Sequence, residues 1–341
     1  MKKCGLCLLC LFLCLALSSA SLAQGGGGKV FWKMATLAPE AIGWGKIIKE
    51  IGLPAMEDMT GGVLSVKIYW GGVMGDDTAI VGKMKQGVLS GGGLTGQGTN
   101  LICPEMNVVE LPFLFENYEE VDAVRKKLLP VLDDLMEKRG FFLLVWMDQD
   151  FDQVYSTKFP MSSYGDFLNA RFMTWYGVLE ERMFQRIGVE AVPVPVPEVS
   201  QRVRKGDMNA AIGPGIWIVG AQLQSVIKYV NPLKIRYAPS VTVVRKDAWE
   251  ALSESARRKY HERRGELTVK LCRAVRSTDE KYYRALLQYG VKETHLDSQS
   301  ERIIREKAVR VWDTMVGVLY PQAMLDMVQE TLKEFRQGRG K

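Results

Sequence analysis

The sequence predicts an α/β protein built from two lobes. Its 341 residues are more than one small core needs, and they suit two lobes of ordinary domain size. Hydrophobic residues make up 47% and charged residues 25% of the chain, a balance typical of folded globular proteins. Strand-like and helix-like segments alternate near the N-terminus, as they do in a parallel sheet with crossover helices.

The first hundred residues supply that alternation. Segments rich in apolar and β-branched residues predict strands at 30–35, 63–70 and 88–95. Between them, the segments 45–59 and 76–86 favour helices. The order is therefore strand, helix, strand, helix, strand, which predicts a parallel sheet in the first lobe.

The remainder of the chain predicts a second α/β unit and a helical tail. A helix is expected at 118–139, a strand at 141–147, a strand at 171–175 and a helix at 178–187, and the chain beyond Asp247 is largely helical and charged. We expect the first lobe to hold 30–150 with about 241–290, and the second to hold 151–240 with about 291–338.

The N-terminus has the pattern of a secretory signal peptide. Lys2 and Lys3 precede the apolar stretch 4–17, and Ser21-Leu22-Ala23 has the small residues of a cleavage site. The apolar stretch is shorter than the about 20 residues that span a bilayer, which disfavours the alternative of a retained anchor. We expect a signal peptide at 1–23, cleavage after Ala23, a Gly-rich spacer at 24–29 and a periplasmic mature protein.

Charge and cysteine content exclude several classes of protein. The net charge is +6 without a basic block, so nucleic acid is not an expected partner. Beyond the leader only Cys103 and Cys272 remain, either as a pair or as two buried free thiols. No zinc-type spacing is present beyond the leader, so neither a metal nor another cofactor is expected. A hydrolase-like enzyme that uses Cys272 with His261 is the alternative class.

Five motifs follow one another along the chain. In chain order they are Ala35 to Glu40 with Trp44-Gly45-Lys46, Thr60-Gly61-Gly62 with Val66 to Gly75, Glu110-Leu111-Pro112-Phe113-Leu114-Phe115, Ser156 to Phe167, and Val192 to Pro195 with Glu198-Val199. The third is the most telling of them. Together these motifs resemble those of the extracytoplasmic receptors of TRAP (tripartite ATP-independent periplasmic) transporters, the DctP-like family.

The resemblance implies a Venus-flytrap fold in which two lobes close on a ligand. It implies no catalysis, because such receptors hand a solute to membrane permease subunits. Crossing segments near 149–153 and 238–241 would then act as the hinge. One branch of the family works with a tetratricopeptide-repeat partner and is suspected of handling apolar ligands, and this sequence resembles that branch.

Two departures from the family pattern predict a hydrophobic or amphipathic ligand. Where the family has a carboxylate-binding arginine, seven residues after Asp166, this sequence has Met173. A polar stretch of the family reads Asn-Ala-Ala-Ile-Gly-Pro here, at 209–214. The alternative is a two-residue shift that makes Arg171 the ligand arginine, and then the ligand is a small carboxylate.

These arguments give a set of candidate ligand-binding residues. For each tryptophan or methionine among them, core packing is the competing interpretation. The candidates are Thr36, Trp44, Gly96, Leu111, Phe113, Trp146, Arg171, Met173, Trp175, Val194, Gly213 and Trp217.

Overall fold

The structure is a computed structural model and describes residues 29–175 and 177–339; the expected signal peptide, its cleavage site and most of the spacer lie outside this range. The strands are β1 Val30–Thr36, β2 Leu64–Tyr69, β3 Gly91–Leu94, β4 Phe141–Ser156, β5 Arg171–Thr174, β6 Glu190–Pro193, β7 Ala210–Gly213, β8 Tyr229–Arg245 and β9 Lys292–Glu293. The helices are α1 Gly43–Ile47, α2 Leu53–Met59, α3 Asp77–Lys85, α4 Gly96–Ile102, α5 Tyr118–Lys138, α6 Tyr164–Asn169, α7 Val178–Ile187, α8 Val196–Lys205, α9 Gly215–Gly220, α10 Lys246–Glu250, α11 Glu254–Tyr289, α12 Ser298–Val309, α13 Val311–Thr314 and α14 Gln322–Arg339.

One mixed sheet runs through the described part of the chain. Its strand order is β2-β1-β3-β8-β4-β7-β5-β6, with β9 on β8. Strands β2, β1 and β3 are parallel, which confirms the alternating order predicted for the first lobe. Strands β5, β6 and β7 form a second parallel group, and β4 and β8 run antiparallel between the two groups.

The pairing of β4 with β8 is the crossing segment that joins the lobes. The two strands have 16 and 17 residues, much longer than the strand expected at 141–147. Register irregularities interrupt the pairing, one of them between Asp148 and Asp150. Asp150 has a φ of 126°, in the left-handed region that a residue with a β-carbon adopts at an energetic cost. This irregularity falls where the sequence predicted the hinge.

Two lobes with separate apolar clusters flank the crossing strands. In the first lobe, Trp32 and Met34 of β1 pack with Tyr260 and Leu271 of α11. In the second lobe, residues of β5 and β7 pack with α8 and with the last turns of α11, where Leu286 is buried. The 36-residue helix α11 therefore contributes to the cores of both lobes.

The C-terminal segment does not all pack where the sequence suggested. Residues 291–338 were expected in the second lobe, and α12 does pack there, through Ile304 and Ala308. Helix α14 returns instead to the first lobe, where Val328 and Leu332 are buried with residues of α5. Its Arg336 also bonds to the buried Glu120 of α5, at 2.8 Å. The apolar stripe of α14 shows in the sequence, but its partner surface does not.

Buried charges tie the lobes to the crossing strands. Arg236 of β8 is 1% exposed; its guanidinium contacts Asp152 of β4 at 2.6 Å, Glu110 of the first lobe at 3.2 Å and Glu180 of α7 at 3.6 Å. One cation thus faces three buried carboxyl groups. Desolvation by burial, reinforced by the charge of Asp152, raises the pKa of Glu110 to about 7 and that of Glu180 to about 8.

No helix within the described ranges combines the length and the apolar character of a membrane span. Within the same ranges no group of three or more His, Cys, Asp or Glu side chains is arranged to hold a metal ion.

The Arg236 cluster predicts how stability depends on pH. Because the folded protein binds the Glu180 proton more tightly than the unfolded chain does, the stability from this group is full below the ordinary carboxyl pKa and is lost as the pH rises through about 8. We expect Glu180→Gln to reduce that loss between pH 5 and pH 8 by on the order of 2 kcal/mol. Urea unfolding at pH 5 and pH 8 measures the free energy of unfolding of both proteins.

The matched control is Glu190→Gln, because the Glu190 carboxylate is exposed and pairs with Arg171 at the surface. This substitution should give the same pH dependence of stability as the wild type. A Glu180→Gln protein that loses as much stability as the wild type would contradict this account of the cluster.

Candidate ligand-binding cavity

A cavity of about 230 Å³ lies between the two lobes. The first lobe contributes the loop after β1 and the ends of β2 and β3, and the second contributes the residue after β5, α8 and α9. In the first lobe these are the carboxyl ends of parallel strands, where ligands of open α/β sheets bind. The larger apolar residues of the lining are Leu37, Pro39, Ile42, Trp44, Ile48, Leu94, Met147, Trp175, Val196, Pro197, Val199, Ile216 and Trp217.

The loop after β1 is shaped by close backbone packing against α1. A β-carbon at Gly45 would lie 1.8 Å from the carbonyl oxygen of Pro39, so only glycine allows the loop to pack there. Gly43 has a φ of 58° and meets Ile216 of α9, to which a β-carbon would lie 3.0 Å away. These contacts bring Pro39 and Trp44 to the cavity and seat the first lobe against the second.

Two tryptophans form the wall of the second lobe. The rings of Trp175 and Trp217 lie 4.7 Å apart between centroids, with their planes tilted by 40°. Gly213 makes room for them, because a β-carbon there would lie 2.7 Å from the Trp217 ring. Gly213 therefore does not line the cavity itself, but it leaves space for the Trp217 ring, which does.

The lining carries no formal charge among the residues that the structure describes. Its polar side chains are Thr36, Thr95, Gln149, Ser200 and Ser240. Four of these bond within the protein: Thr36 accepts from the amide of Ala38, Thr95 donates to Asp77, Gln149 donates to the Pro239 carbonyl, and Ser200 donates to the Ala221 carbonyl. Most of the polar capacity of the lining is therefore already used.

Trp44 is a lining residue with an unpaired polar atom. Its indole Nε1 is buried and has no hydrogen-bond partner within the described part of the protein. An unpaired buried N–H costs roughly 1–3 kcal/mol.

Four of the twelve candidate residues line the cavity: Thr36, Trp44, Trp175 and Trp217. The other eight lie outside the lining. Leu111 and Trp146 are in the core of the first lobe, and Phe113 is buried with residues of α6 and α7. Met173 and Val194 pack in the same cluster as Trp175, Gly96 lies against Glu110, Gly213 lies beneath Trp217, and Arg171 is at the surface.

Arg171 is far from the cavity because it begins β5, whereas the cavity residue Trp175 follows the end of that strand. Four residues of extended chain span about 13 Å. Its guanidinium donates to Glu190 at 3.0 Å and to the Asp207 carbonyl at 2.9 Å. Met173 points into the apolar cluster and is 1% exposed. The Arg171 guanidinium therefore does not reach the cavity, and the residue at the family's arginine position, Met173, is uncharged.

Several apolar lining residues are not among the twelve candidates predicted from the sequence. Leu37 and Pro39 belong to the first family motif, Ala35 to Glu40, so that motif carries a signal for them. Ile216 and Met147 carry no such signal, because an isoleucine on a short helix and a methionine in a strand are ordinary core residues.

The residues of the enzyme alternative are not assembled. Cys272 and His261 are eleven residues apart on α11, which separates them by about 16 Å along the helix axis. Desolvation by burial raises the pKa of the Cys272 thiol to about 12, which disfavours the reactive thiolate. Cys103 is a second buried free thiol, so the two cysteines are unpaired.

The chain is similar to proteins and structures of one kind. A curated relative from Chromohalobacter salexigens, described as a solute-binding protein, is 23% identical over 275 residues, which cover 79% of this chain and 80% of that protein. The sugar acid binding protein of Advenella mimigardefordensis, solved with galactonate, has a TM-score of 0.83 at 18% identity and covers 90% of this chain and 99% of its own.

Two further solved structures are TRAP periplasmic solute binding proteins. One, from Ochrobactrum anthropi, has its C-terminus bound in the ligand-binding pocket; its TM-score is 0.79 at 20% identity, over 91% of this chain and 97% of its own. The other, from Sulfurospirillum deleyianum, has bound succinate, with a TM-score of 0.79 at 16% identity over 89% of this chain and 99% of its own.

The family model of the bacterial extracellular solute-binding proteins, family 7, matches residues 53–317, well over half of the chain. The two-lobed fold, the crossing strands and the cavity between the lobes agree with that match. The chain therefore belongs to family 7 of the bacterial extracellular solute-binding proteins, the DctP family.

Proposed function

We propose that this receptor holds a short amphipathic ligand in the cavity between its lobes and delivers it to the membrane subunits of a TRAP permease. The ligand has an apolar body and at least one hydrogen-bond acceptor. The observation that carries the proposal is the lining: tryptophan and aliphatic side chains without a formal charge, and one unpaired indole N–H.

The apolar lining favours an apolar body because burial of hydrocarbon contributes about 25 cal/mol per Å². The cavity volume of about 230 Å³ is below the roughly 300–1,000 Å³ of sites for drug-sized ligands. A short chain therefore fits better than a membrane lipid. The indole N–H of Trp44 supports an acceptor at one end of the ligand.

A small carboxylate is the second candidate. The similar structures from Advenella mimigardefordensis and Sulfurospirillum deleyianum contain galactonate and succinate, and these ligands favour the carboxylate alternative over a purely hydrophobic one. In this chain Arg171 is bonded at the surface, so a carboxylate would have to use neutral donors such as Trp44. An unpaired buried charge is heavily penalised, which disfavours a dicarboxylate more than a monocarboxylate.

A ligand series separates the two candidates. We expect delipidated protein to bind 1-octanol and octanoate in the micromolar range and succinate or galactonate at least about tenfold more weakly, because only the first pair buries hydrocarbon. Titration calorimetry measures the affinities. Tighter binding of succinate or galactonate than of 1-octanol would contradict the proposed amphipathic ligand and support a small carboxylate. Mass spectrometry of small molecules that co-purify with the protein would then identify the natural ligand.

Replacement of Trp44 tests the hydrogen bond. Trp44→Phe keeps an aromatic ring but removes the donor, so we expect the affinity for 1-octanol to fall about fivefold to tenfold and that for octane to change little. Fluorescence of the other two cavity tryptophans reports binding. Val88→Ala, an exposed site outside the lining, is the control. Equal losses for 1-octanol and octane would assign Trp44 a packing role only.

Export and partners follow from the sequence and are part of the proposal. The leader pattern supports a periplasmic mature protein that begins at Gln24. N-terminal sequencing of the protein from its native envelope should start at that residue, and a start at Met1 would contradict cleavage. A tetratricopeptide-repeat partner remains a prediction from the resemblance to one branch of the family.

A further inference from the structure

The long helix α11 reaches both lobes, and Asp279 stands at the transition between them. Val275, one turn earlier, is buried in the core of the first lobe, and Leu286, two turns later, is buried in the core of the second. Asp279 itself is 5% exposed. A buried carboxyl group at this place on the helix needs a structural reason, because burial of an unpaired charge is unfavourable.

The carboxyl group of Asp279 holds the first turn of α9. Its Oδ1 accepts a hydrogen bond from the amide of Ile216 at 2.7 Å, and the amide of Gly215 also bonds to it. Gly215 allows the approach, since a β-carbon there would lie 3.3 Å from both the Asp279 carboxyl oxygen and the amide nitrogen of Tyr283. The start of α9 is therefore pressed directly onto α11.

The opposite side of the same turn meets the first lobe and the cavity. Ile216 contacts Gly43 of α1, and both residues line the cavity. Trp217, the next residue, packs against Trp175 in the cavity wall. The position of α9 therefore sets this part of the cavity wall, and Asp279 contacts the first turn of α9.

We propose that Asp279 is a positioning residue for ligand binding, which holds α9 between α1 and α11 so that Ile216 and Trp217 face the ligand. Asp279 does not line the cavity, so it acts through α9. The inference rests on the proposed function for its readout of ligand affinity, although the contact itself is independent of the ligand's identity.

The surroundings of Asp279 make this contact sensitive to pH. The titratable groups that interact with it from the packed elements are Asp150, Asp152 and Tyr155 of β4 and Tyr118 of α5, and α9 contributes none. A second cavity, on the side of α11 that faces α5, is also lined by Asp122, Lys234, Arg273, Arg276, Glu280 and Tyr283. Within this set, the nearby Asp150 and Asp152 repel an ionised Asp279.

Desolvation by burial, together with the charge of Asp152, raises the pKa of Asp279 to about 7. If the contact between the Asp279 carboxyl group and the first turn of α9 loosens when the lobes open, the carboxyl group becomes hydrated and its pKa returns toward the ordinary value. The closed form then binds the proton more tightly than the open form does. Closure and ligand binding should therefore weaken as the pH rises from the ordinary carboxyl range through about 7.

The test compares Asp279→Asn with Asp279→Ala, using 1-octanol as an uncharged probe at pH 5.5 and pH 8.0. Wild-type affinity should be about tenfold lower at pH 8.0, as expected for a pKa difference of about one unit or more. Asp279→Asn retains an acceptor without the charge and should bind equally well at both pH values. Asp279→Ala should bind about tenfold or more weakly at both, because the amide contacts are lost.

Hydrogen exchange of the ligand-free proteins reports the contact directly. The amides at the start of α9 should exchange faster in Asp279→Ala than in Asp279→Asn or the wild type. Gly215→Ala, which crowds the same contact from α9, should shift affinity and exchange in the same direction. The control is Asp297→Ala, which removes the N-terminal cap of α12 outside the cavity and should leave α9 unchanged.

The outcomes separate the two proposals. If the wild type does not bind 1-octanol, the proposed ligand class fails, while hydrogen exchange still decides whether Asp279 holds α9. If Asp279→Ala leaves both the affinity and the exchange at α9 unchanged, the positioning role is wrong. If Asp279→Asn binds 1-octanol with the same pH dependence as the wild type, protonation of Asp279 is not the cause of that dependence.

Discussion

The antiparallel pairing of β4 with β8 is the constraint on which both lobes depend. Each parallel group of strands ends on one of these two strands, so the lobes share a single sheet instead of a loose linker. The shared strands carry buried charges, which must be paired where they lie. The Asp148 carboxylate accepts hydrogen bonds from Arg125, Tyr237 and Arg276. Arg236 forms ion pairs with Glu110 of the first lobe and Glu180 of the second.

Three features lie where the two lobes meet: the register irregularity of β4 at Asp150, the contact of Asp279 with α9 and the Arg236 cluster. Several of these carboxyl groups have a raised pKa because burial outweighs their partners. Carboxyl groups with a raised pKa are therefore concentrated where the two lobes meet.

The cavity lining of this chain is more apolar than the ligands of similar structures would suggest. Similar structures hold small acids, whereas here the lining is aromatic and aliphatic, and Arg171 is engaged at the surface. The fold supplies the place of binding, and the side chains supply the ligand class. Trp44 adds to this lining a buried indole N–H that has no hydrogen-bond partner among the described residues.

The sequence by itself determined the family, the alternation of strands and helices in the first lobe, and four cavity residues. These follow from local patterns: glycine-rich junctions, β-branched runs and motifs at fixed spacing. Tertiary structure alone decided that Met173 and Leu111 pack in cores, that α14 returns to α5, and that Ile216 reaches the cavity. An apolar residue has the same sequence pattern in a core and in a cavity wall, and only the position of the opposing element distinguishes the two.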